Sequence, residues 1–308
     1  MLSVSNLSYS FINNLFNSVE NNDLQNTNLQ NKILVNAFFE PSTRTSLSFE
    51  SAMYKMNGNV ITFQQDYSSI KKGESFKDTI KTLATYGDIL VIRHPDISKI
   101  KEAESYVNIP IINGGNGNGE HPTQALIDLY TIHKYLKEKK IHHPIVHLNN
   151  DYYQTTTKVS ILFVGDIMNS RAIHSLFYLL IKYKYIHIHF LPFCDCDPPM
   201  DIISKMISYK FYNETMIFSK DNIDLSIYDV IYVTRLQKER TNKNNNPDII
   251  VDKEFMKKVK QDAIIMHPLP RNEEIDPEID DDPRCVYYKQ MENGVKVRKA
   301  LLSHFLSN

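Results

Sequence analysis

The chain has 308 residues, of which 42% are hydrophobic and 23% are charged, and its formal net charge is -1. This length predicts about two domains, and the composition predicts a packed globular core rather than a disordered chain. The near-neutral charge argues against a nucleic-acid-binding protein, although local clusters of Arg and Lys can still bind an anionic ligand.

The cysteine content and the hydropathy pattern indicate where the protein works. The chain contains Cys194, Cys196 and Cys285 without a C-x-x-C pair, which argues against a disulfide framework or a zinc site and favours a reducing, intracellular compartment. No signal peptide is recognisable at the N-terminus, and no stretch approaches the roughly 18 apolar residues of a membrane span. We therefore expect a cytoplasmic protein without a membrane partner; an organellar targeting segment removed from the chain remains an alternative.

Short β-forming runs alternate with helical patterns along the chain. The predicted strands are, in order, Ile33–Phe39, Asn59–Phe63, Asp88–His94, Ile109–Ile112, Val159–Gly165, His187–Phe193, Val230–Thr234 and Ala263–His267. Apolar residues at helical spacing predict amphipathic helices between them, with faces made of Phe49, Ala52, Met53 and Met56, of Ala125, Leu129, Ile132 and Leu136, and of Ile173, Leu176, Phe177 and Leu180. This alternation, found twice, predicts an α/β fold of two similar-sized domains, each a largely parallel sheet flanked by helices.

Polar stretches suggest the domain boundary. Lys137–Thr157 is rich in Asn, His and Thr and predicts a solvated linker after the helix that starts near Pro122. We therefore predict a first domain over residues 1–140 and a second over 141–290. A last helix with Val297–Phe305 at its centre, about 291–308, is predicted to pack back on the first domain. Thr241–Pro247 is typical of a surface insertion.

The segment Phe38–Ser46 gives the first indication of chemistry, because a proline ends an apolar strand there and an amphipathic helix follows. Ser42 is placed to cap that helix. The N–H groups of the first turn, with the helix dipole, form an anion site, and the hydroxyls of Ser42, Thr43 and Thr45 with the guanidinium of Arg44 add donors suited to a phosphate. An ordinary capped helix is the alternative, but a plain cap needs only one hydroxyl.

Short motifs in chain order resemble those of the aspartate and ornithine carbamoyltransferase family. They are Ser42-Thr43-Arg44-Thr45, Lys71-Lys72-Gly73-Glu74, Arg93-His94-Pro95, His121-Pro122-Thr123-Gln124, Val164-Gly165-Asp166, Thr234–Arg240 and His267-Pro268-Leu269-Pro270-Arg271. Each motif is short, but the ordered set extends from about Leu2 to Leu306 and is highly specific.

The resemblance implies a set of residues that bind carbamoyl phosphate. They are Ser42, Thr43, Arg44, Thr45, Ser68, Lys72, Arg93, His121 and Gln124. Thr45, Arg93 and His121 are then catalytic because they stabilise the developing oxyanion, and Lys72 is catalytic because it contacts both substrates. Without the family, Arg93 would be taken as a solvated residue at a strand end, and His121 as a cap or core residue.

The resemblance also implies an aspartate-binding set, which consists of Lys72, Arg171, Arg235, Gln237, Leu269 and Pro270. Arg171 and Arg235 hold the two carboxylates of aspartate, which suits the planar fork of arginine, and Gln237 assists. The Leu269-Pro270 turn, where a cis bond can occur, presents a backbone carbonyl to the substrate amine. Two ordinary surface arginines are the alternative. Glu40, Arg240 and Arg271 resemble members of ion pairs that hold a closed domain arrangement, with purely structural pairing as the alternative.

The implied activity is transfer of the carbamoyl group of carbamoyl phosphate to the α-amine of L-aspartate, a step of pyrimidine biosynthesis, in a cleft between the two domains. The loop Asp66–Glu74 implies a homotrimer, because in the family it enters the active site of the neighbouring subunit. No metal or organic cofactor is implied.

Two other functions were considered. An ornithine carbamoyltransferase typically has Cys where this chain has Pro268, and it does not need the second carboxylate partner that Arg235 supplies. A non-catalytic homologue acting as a subunit is the other alternative, and it conflicts with the expected residue type at every catalytic position that the motifs match.

Overall fold

A computed structural model of the chain describes residues 1–21, 24, 27–65, 68–143, 145–146, 157–193, 196–208, 214–217, 223–238 and 247–307. The chain divides into two compact units, one of Met1–Ile127 with Glu292–Asn308 and one of Asp128–Met291. Among the described residues, no helix combines the length and apolar character needed to cross a membrane.

The first unit contains a four-stranded, fully parallel sheet. Its strands are β1 (Ile33–Phe38), β2 (Asn59–Gln64), β3 (Ile89–His94) and β4 (Ile111–Asn116), arranged in the order β2-β1-β3-β4. The helices are α1 (Tyr9–Glu20), α2 (Thr43–Tyr54), α3 (Phe76–Tyr86), α4 (Lys99–Glu104), the start of α5 (Pro122–Glu138) and most of α9 (Tyr287–Leu306). Nearly continuous apolar runs in β1 and β3 are buried, as expected for a parallel sheet with helices on its faces.

The second unit contains a five-stranded parallel sheet. Its strands are β5 (Val159–Gly165), β6 (Ile186–Pro192), β7 (Glu214–Ile217), β8 (Val230–Val233) and β9 (Ile264–Met266), in the order β7-β6-β5-β8-β9. The helices are the rest of α5, α6 (Arg171–Leu180), α7 (Met200–Ser208) and α8 (Lys253–Lys258). The central strand β5 is buried along most of its length. The two-domain α/β prediction is thereby confirmed.

The three predicted helical faces are buried. Their twelve residues have no solvent-exposed surface: Phe49, Ala52, Met53, Met56, Ala125, Leu129, Ile132, Leu136, Ile173, Leu176, Phe177 and Leu180. Hydroxyl caps fix several helix starts, since the side chains of Ser8, Ser75 and Ser170 accept backbone N–H groups of α1, α3 and α6.

Some boundaries differ from the prediction. The fourth strand continues to Asn116, because its polar and glycine-rich end is buried and pairs with β3. The solvated linker is wrong for His143 and Ile145, which are both buried; the His143 ring accepts from the Ile145 N–H, which satisfies the polar groups. The last helix begins at Tyr287, ten residues before Val297, where buried polar side chains hide the apolar period. Most of Thr241–Pro247 lies outside the described residues.

Candidate active site

The strand order of the first sheet creates a ligand-binding position at its carboxyl edge. The chain leaves β1 towards β2 on one side and leaves β3 towards β4 on the other, so β1 and β3 flank a switch point, where open α/β sheets bind ligands. Ser42–Thr45 follow β1, and Arg93 is the last residue but one of β3, paired with Phe38. The predicted phosphate residues of these two segments therefore lie at neighbouring strand ends.

Ser42 occupies the N-cap position of α2, but its side chain makes no capping hydrogen bond, so that prediction is wrong. The backbone of Ser42 differs from that of the serines that do cap a helix. Ser8, Ser75 and Ser170 have φ of -78°, -70° and -83°, whereas Ser42 has an extended φ of -158°.

Thr45 and His121 are the buried members of the predicted carbamoyl-phosphate set in the first unit. Thr45 Oγ1 lies 3.3 Å from His121 Nε2, and His121 Nδ1 lies 3.4 Å from Thr123 Oγ1. Thr45 comes from the first turn of α2, while His121 immediately precedes α5. A hydroxyl and an imidazole N–H this close can donate to the same acceptor oxygen. Gln124 lies in the first turn of the same helix, and its N–H donates to the His121 carbonyl.

Arg93 is held by a carboxylate of its own unit. Its Nε lies 2.7 Å from Glu40 Oε1, with both side chains largely shielded from solvent. The contact between Arg93 and Glu40 is an ion pair. Arg93 Nη1 also makes a long hydrogen bond, 3.5 Å, to the Gly114 carbonyl at β4. The guanidinium is thus fixed at the edge of the sheet, next to the start of α2.

Ser68 and Lys72 belong to an exposed turn. Ser69–Lys72 form a 3₁₀ turn that ends at Gly73, whose φ of 92° lies in the left-handed region. Ser68 Oγ donates to the Gln65 carbonyl at 2.7 Å, and Lys72 is exposed. Within the described part of the chain, Lys72 has no hydrogen bond to Ser42–Thr45. Its place in the site therefore stays a prediction. Asp66 lies outside the described residues.

The second sheet also has a switch point, between β5 and β8. Arg171 is the first residue of α6, which follows β5, and Arg235 follows β8; both are half-buried. Asp166, fully buried, joins the two segments: its Oδ2 accepts from the Gln237 N–H at 3.1 Å and its Oδ1 from the Asn169 N–H at 3.0 Å. Sequence reasoning assigned Asp166 only to a motif, although an acid directly after a buried strand was a signal.

Gly165 makes the close approach of these two loops possible. Its φ is 123°, and a Cβ at this position would lie 2.2 Å from the Thr234 carbonyl oxygen. Any other residue would push the loop after β8 away from the loop after β5, so glycine is required on both steric and conformational grounds.

The segment after β9 is tied to the protein interior. The Leu269–Pro270 bond is cis, as considered from the sequence, and Leu269 has a φ of 51°. His267 Nδ1 accepts from the Leu269 N–H at 2.8 Å, and His267 Nε2 lies 3.0 Å from Glu274 Oε1. Burial lowers the pKa of His267. Burial, the largest single effect, would raise the pKa of Glu274, but the hydrogen bond and charge interaction with His267, together with bonds from the backbone N–H groups of Asn272 and Glu274, lower that pKa overall. A neutral imidazole beside an ionised carboxylate fits both directions.

Arg271 and Glu40 each pair within their own unit. Arg271 forms a two-pronged ion pair with Asp280, with Nη2 and Oδ2 2.6 Å apart, and Nη1 donates to the Tyr287 hydroxyl at 2.9 Å. Glu40 pairs with Arg93 as described. Pairing within a unit is what the purely structural alternative describes, and a role in a closed domain arrangement stays a prediction. Arg240 lies outside the described residues.

A buried hydrogen-bond network in the second unit, connected to the backbone of His267, was not predicted from the sequence. Asp128, on α5, accepts from the Tyr232 hydroxyl at 2.7 Å and from Gln290 Nε2 at 2.6 Å. Gln290 Oε1 in turn accepts from the His267 N–H at 3.0 Å. Gln290 lies more than 160 residues from Asp128 in the chain, so no local motif could have revealed the connection.

Comparison with known proteins gives consistent results. Residues 1–134 match the model for the aspartate/ornithine carbamoyltransferase carbamoyl-P binding domain, and residues 157–305 match that for the Asp/Orn binding domain. An aspartate carbamoyltransferase catalytic subunit from Methanocaldococcus jannaschii is 40% identical, covering 90% of this chain and 86% of that protein. The crystal structure of aspartate transcarbamoylase from Trypanosoma cruzi in complex with carbamoyl phosphate and aspartate is similar, with a TM-score of 0.83, 34% identity, and 99% and 96% of the two chains covered.

Longer relatives also match. The multifunctional protein of Neurospora crassa is 36% identical over 90% of this chain, but the chain spans only 14% of that protein's length. The two domain models, which together match most of the sequence, and the ordered motifs lead to one assignment: the chain belongs to the aspartate/ornithine carbamoyltransferase family.

Proposed function

We propose that this chain transfers the carbamoyl group of carbamoyl phosphate to the α-amine of L-aspartate, giving N-carbamoyl-L-aspartate and phosphate. The observation that carries the proposal is the pair Arg171 and Arg235, which follow the two strands at the switch point of the second sheet. Two guanidinium groups suit an acceptor with two carboxylates, and ornithine has only one. The names of the relatives from Methanocaldococcus jannaschii and Trypanosoma cruzi support the same acceptor.

Carbamoyl phosphate binds to the first unit. Its phosphate lies at the start of α2, where Ser42, Thr43, Arg44 and Thr45 donate to it together with the first-turn N–H groups. The absence of a capping bond from Ser42 supports this role, since its hydroxyl is available to a ligand. Arg93, His121 and Gln124 bind the carbamoyl group.

Aspartate binds to the second unit. Arg171 and Arg235 bind its two carboxylates, and Gln237, held by Asp166 through its backbone, assists. The backbone carbonyl in the Leu269-Pro270 turn accepts a hydrogen bond from the amino group. These assignments give the first unit, with the C-terminal helix, the role of carbamoyl-phosphate domain and the second unit the role of aspartate domain.

The chemistry requires positioning and charge stabilisation rather than a covalent intermediate, because carbamoyl phosphate is already a reactive anhydride. The neutral amine attacks the carbonyl carbon. Thr45, Arg93 and His121 donate to the oxygen that becomes negative, and the contact between Thr45 and His121 supports a shared acceptor. The leaving phosphate accepts the proton of the amine. Removing one oxyanion donor should lower kcat roughly 10²–10³-fold.

Lys72 completes the site from a neighbouring subunit of a homotrimer. Its exposed position on the Ser69–Lys72 turn supports this, since a side chain that serves its own unit would be expected to lie near Ser42–Thr45. Each active site is then shared between two subunits, and Ser68 contacts the phosphate from the same turn. We also infer a cytoplasmic location, which the free thiols of Cys196 and Cys285 support.

The acceptor assignment is tested with the purified chain, carbamoyl phosphate, and either aspartate or ornithine. We expect carbamoylation of aspartate only. Arg235→Ala should raise the aspartate KM by about 10-fold or more, because an interaction with a charged group is lost, and should leave the carbamoyl phosphate KM within about twofold. Arg235→Lys, which keeps the charge but not the fork, serves as the matched variant and should be intermediate. Turnover of ornithine, or an effect of Arg235→Ala on carbamoyl phosphate alone, would refute the proposal.

A further inference from the structure

His267 is anchored at three of its atoms. Its backbone N–H donates to Gln290 Oε1 at 3.0 Å. In the ring, Nδ1 accepts from the Leu269 N–H at 2.8 Å, and Nε2 lies 3.0 Å from Glu274 Oε1. The side chains of His267 and Glu274 are each only 1% exposed. Glu274 Oε1 also accepts a hydrogen bond from the Asn272 N–H at 2.9 Å, so hydrogen bonds join both ends of the segment from His267 to Glu274.

These contacts determine the tautomer of the ring. A backbone N–H can only donate, so His267 Nδ1 must be the acceptor of the bond from Leu269. The ring proton of the neutral imidazole is therefore on Nε2, where it points at the Glu274 carboxylate. Glu274 stabilises this tautomer because its carboxylate can accept a hydrogen bond from a protonated Nε2 but has no proton to donate to an unprotonated Nε2.

Leu269, whose N–H donates to the His267 ring, has an unusual backbone conformation. Leu269 has a φ of 51°, a conformation that a residue with a branched side chain rarely adopts and that persists only where the surroundings hold it. The bond from its N–H to His267 fixes the peptide plane immediately before Leu269. Loss of that acceptor would let the backbone of Leu269 rotate, and with it the carbonyl that follows.

We infer that His267, whose Nε2–H tautomer Glu274 stabilises, is a positioning residue that holds the backbone of Leu269 so that its carbonyl accepts a hydrogen bond from the amino group of aspartate. This inference rests on the proposed function, which assigns the acceptor carbonyl to the Leu269-Pro270 turn. Neither His267 nor Glu274 touches a substrate. A purely structural role would need only an apolar side chain of similar volume, since burying a carboxylate costs free energy that an apolar side chain would not cost.

Two substitutions of His267 separate positioning from packing. His267→Asn places an amide oxygen near the position of Nδ1, so it keeps the bond to the Leu269 N–H and loses the bond to Glu274. His267→Gln places an amide nitrogen near the position of Nε2, so it keeps Glu274 and loses Leu269. Each variant retains one of the two ring bonds, and melting temperatures measure how far the stabilities of the two variants differ.

We expect His267→Gln to raise the aspartate KM about 10-fold more than His267→Asn does, and to lower kcat further, because only His267→Gln loses the bond to Leu269. The KM for carbamoyl phosphate should agree between the two within about twofold. Equal loss in both variants, or greater loss in His267→Asn, would overturn the inference. If the wild-type chain does not carbamoylate aspartate at all, the proposed function fails first.

A second measurement does not depend on activity or on the folding of a variant. The ¹⁵N spectrum of the wild-type protein labelled at histidine reports which ring nitrogen of His267 bears the proton. We expect the Nε2–H form, because the Leu269 N–H requires an acceptor at Nδ1 and Glu274 accepts from Nε2. A wild-type ring protonated on Nδ1 would remove the geometric basis of the inference.

Discussion

Tyr232→Phe tests whether the buried network around Asp128 contains an ionised carboxylate. The Tyr232 hydroxyl donates to Asp128 Oδ2 at 2.7 Å, and both residues have no exposed surface. Burial, and then the neighbouring Asp128, raise the pKa of Tyr232 well above its ordinary value, so the phenol remains a donor. The substitution removes only the hydroxyl and leaves one oxygen of the carboxylate without that bond.

Tyr228→Phe is a matched control. Tyr228 lies in the same unit and is fully buried, and its hydroxyl lies 2.8 Å from Nδ1 of His189, an imidazole rather than a carboxylate. A hydrogen bond to a charged group contributes about 1.5–3 kcal/mol and a neutral one about 0.5–1.5 kcal/mol. For a domain of roughly 150–250 residues, 1 kcal/mol lowers Tm by about 2–4 °C. We therefore expect a loss of about 3–12 °C for Tyr232→Phe and about 1–6 °C for Tyr228→Phe.

Differential scanning calorimetry of the two variants and the wild type at neutral pH measures the difference. The comparison is internal, so it does not depend on the absolute conversion from free energy to temperature. If Tyr232→Phe loses no more than Tyr228→Phe, Asp128 is not an ionised acceptor, and the network would have to be a neutral one in which Asp128 holds a proton.

Two further predictions concern the Arg271 ion pair and the shared site. The hydrogen bond from Arg271 lowers the pKa of Asp280 below its ordinary 3.8. The stabilisation by this ion pair is therefore present above pH 3.8 and is lost as pH falls through the folded-state pKa, so the Tm difference between wild type and Asp280→Asn should be constant from pH 7 to about 5 and should shrink below about pH 4. A difference that widens below about pH 4 would contradict this prediction. The variants Lys72→Ala and Arg44→Ala should each be inactive alone. When the two are dissociated, mixed and reassembled, activity should return, up to about one active site per trimer. Continued inactivity, with subunit exchange confirmed by mass spectrometry, would show that Lys72 serves its own chain.

Much of the fold could be predicted because parallel strands buried on both faces are nearly continuous apolar runs. β1, β3 and β5 are examples, and their predicted bounds agree with the structure within a residue or two. β7 was missed because Glu214–Ile217 is short and has no such run. β4 was cut short because its second half, Asn113–Asn116, has the composition of a turn. Its burial comes from tertiary packing, which a local pattern does not record.

The candidate site divides in the same way. Residues expected to touch substrate, such as Thr45, Arg93 and Arg171, lie at strand ends or helix starts, and short motifs mark them. The missing capping bond at Ser42 accompanies an extended φ of -158°, which no residue pattern specifies. Lys72 also could not be located from the sequence alone, because the resemblance assigns it to another subunit.

The residues that hold the site come from elsewhere in the chain, and this has a consequence for how variants should be interpreted. Asp166 joins loops that are about 70 residues apart, and Asp128 and Gln290 connect α5 to the backbone of His267. A substitution at any of these positions changes a distance at the site without removing a substrate contact. Since positioning supplies much of the rate enhancement in the proposed reaction, which has no covalent intermediate, such variants should affect kcat and KM together. Loss of Arg171 or Arg235, the proposed carboxylate-binding residues, should act mainly on the KM for aspartate.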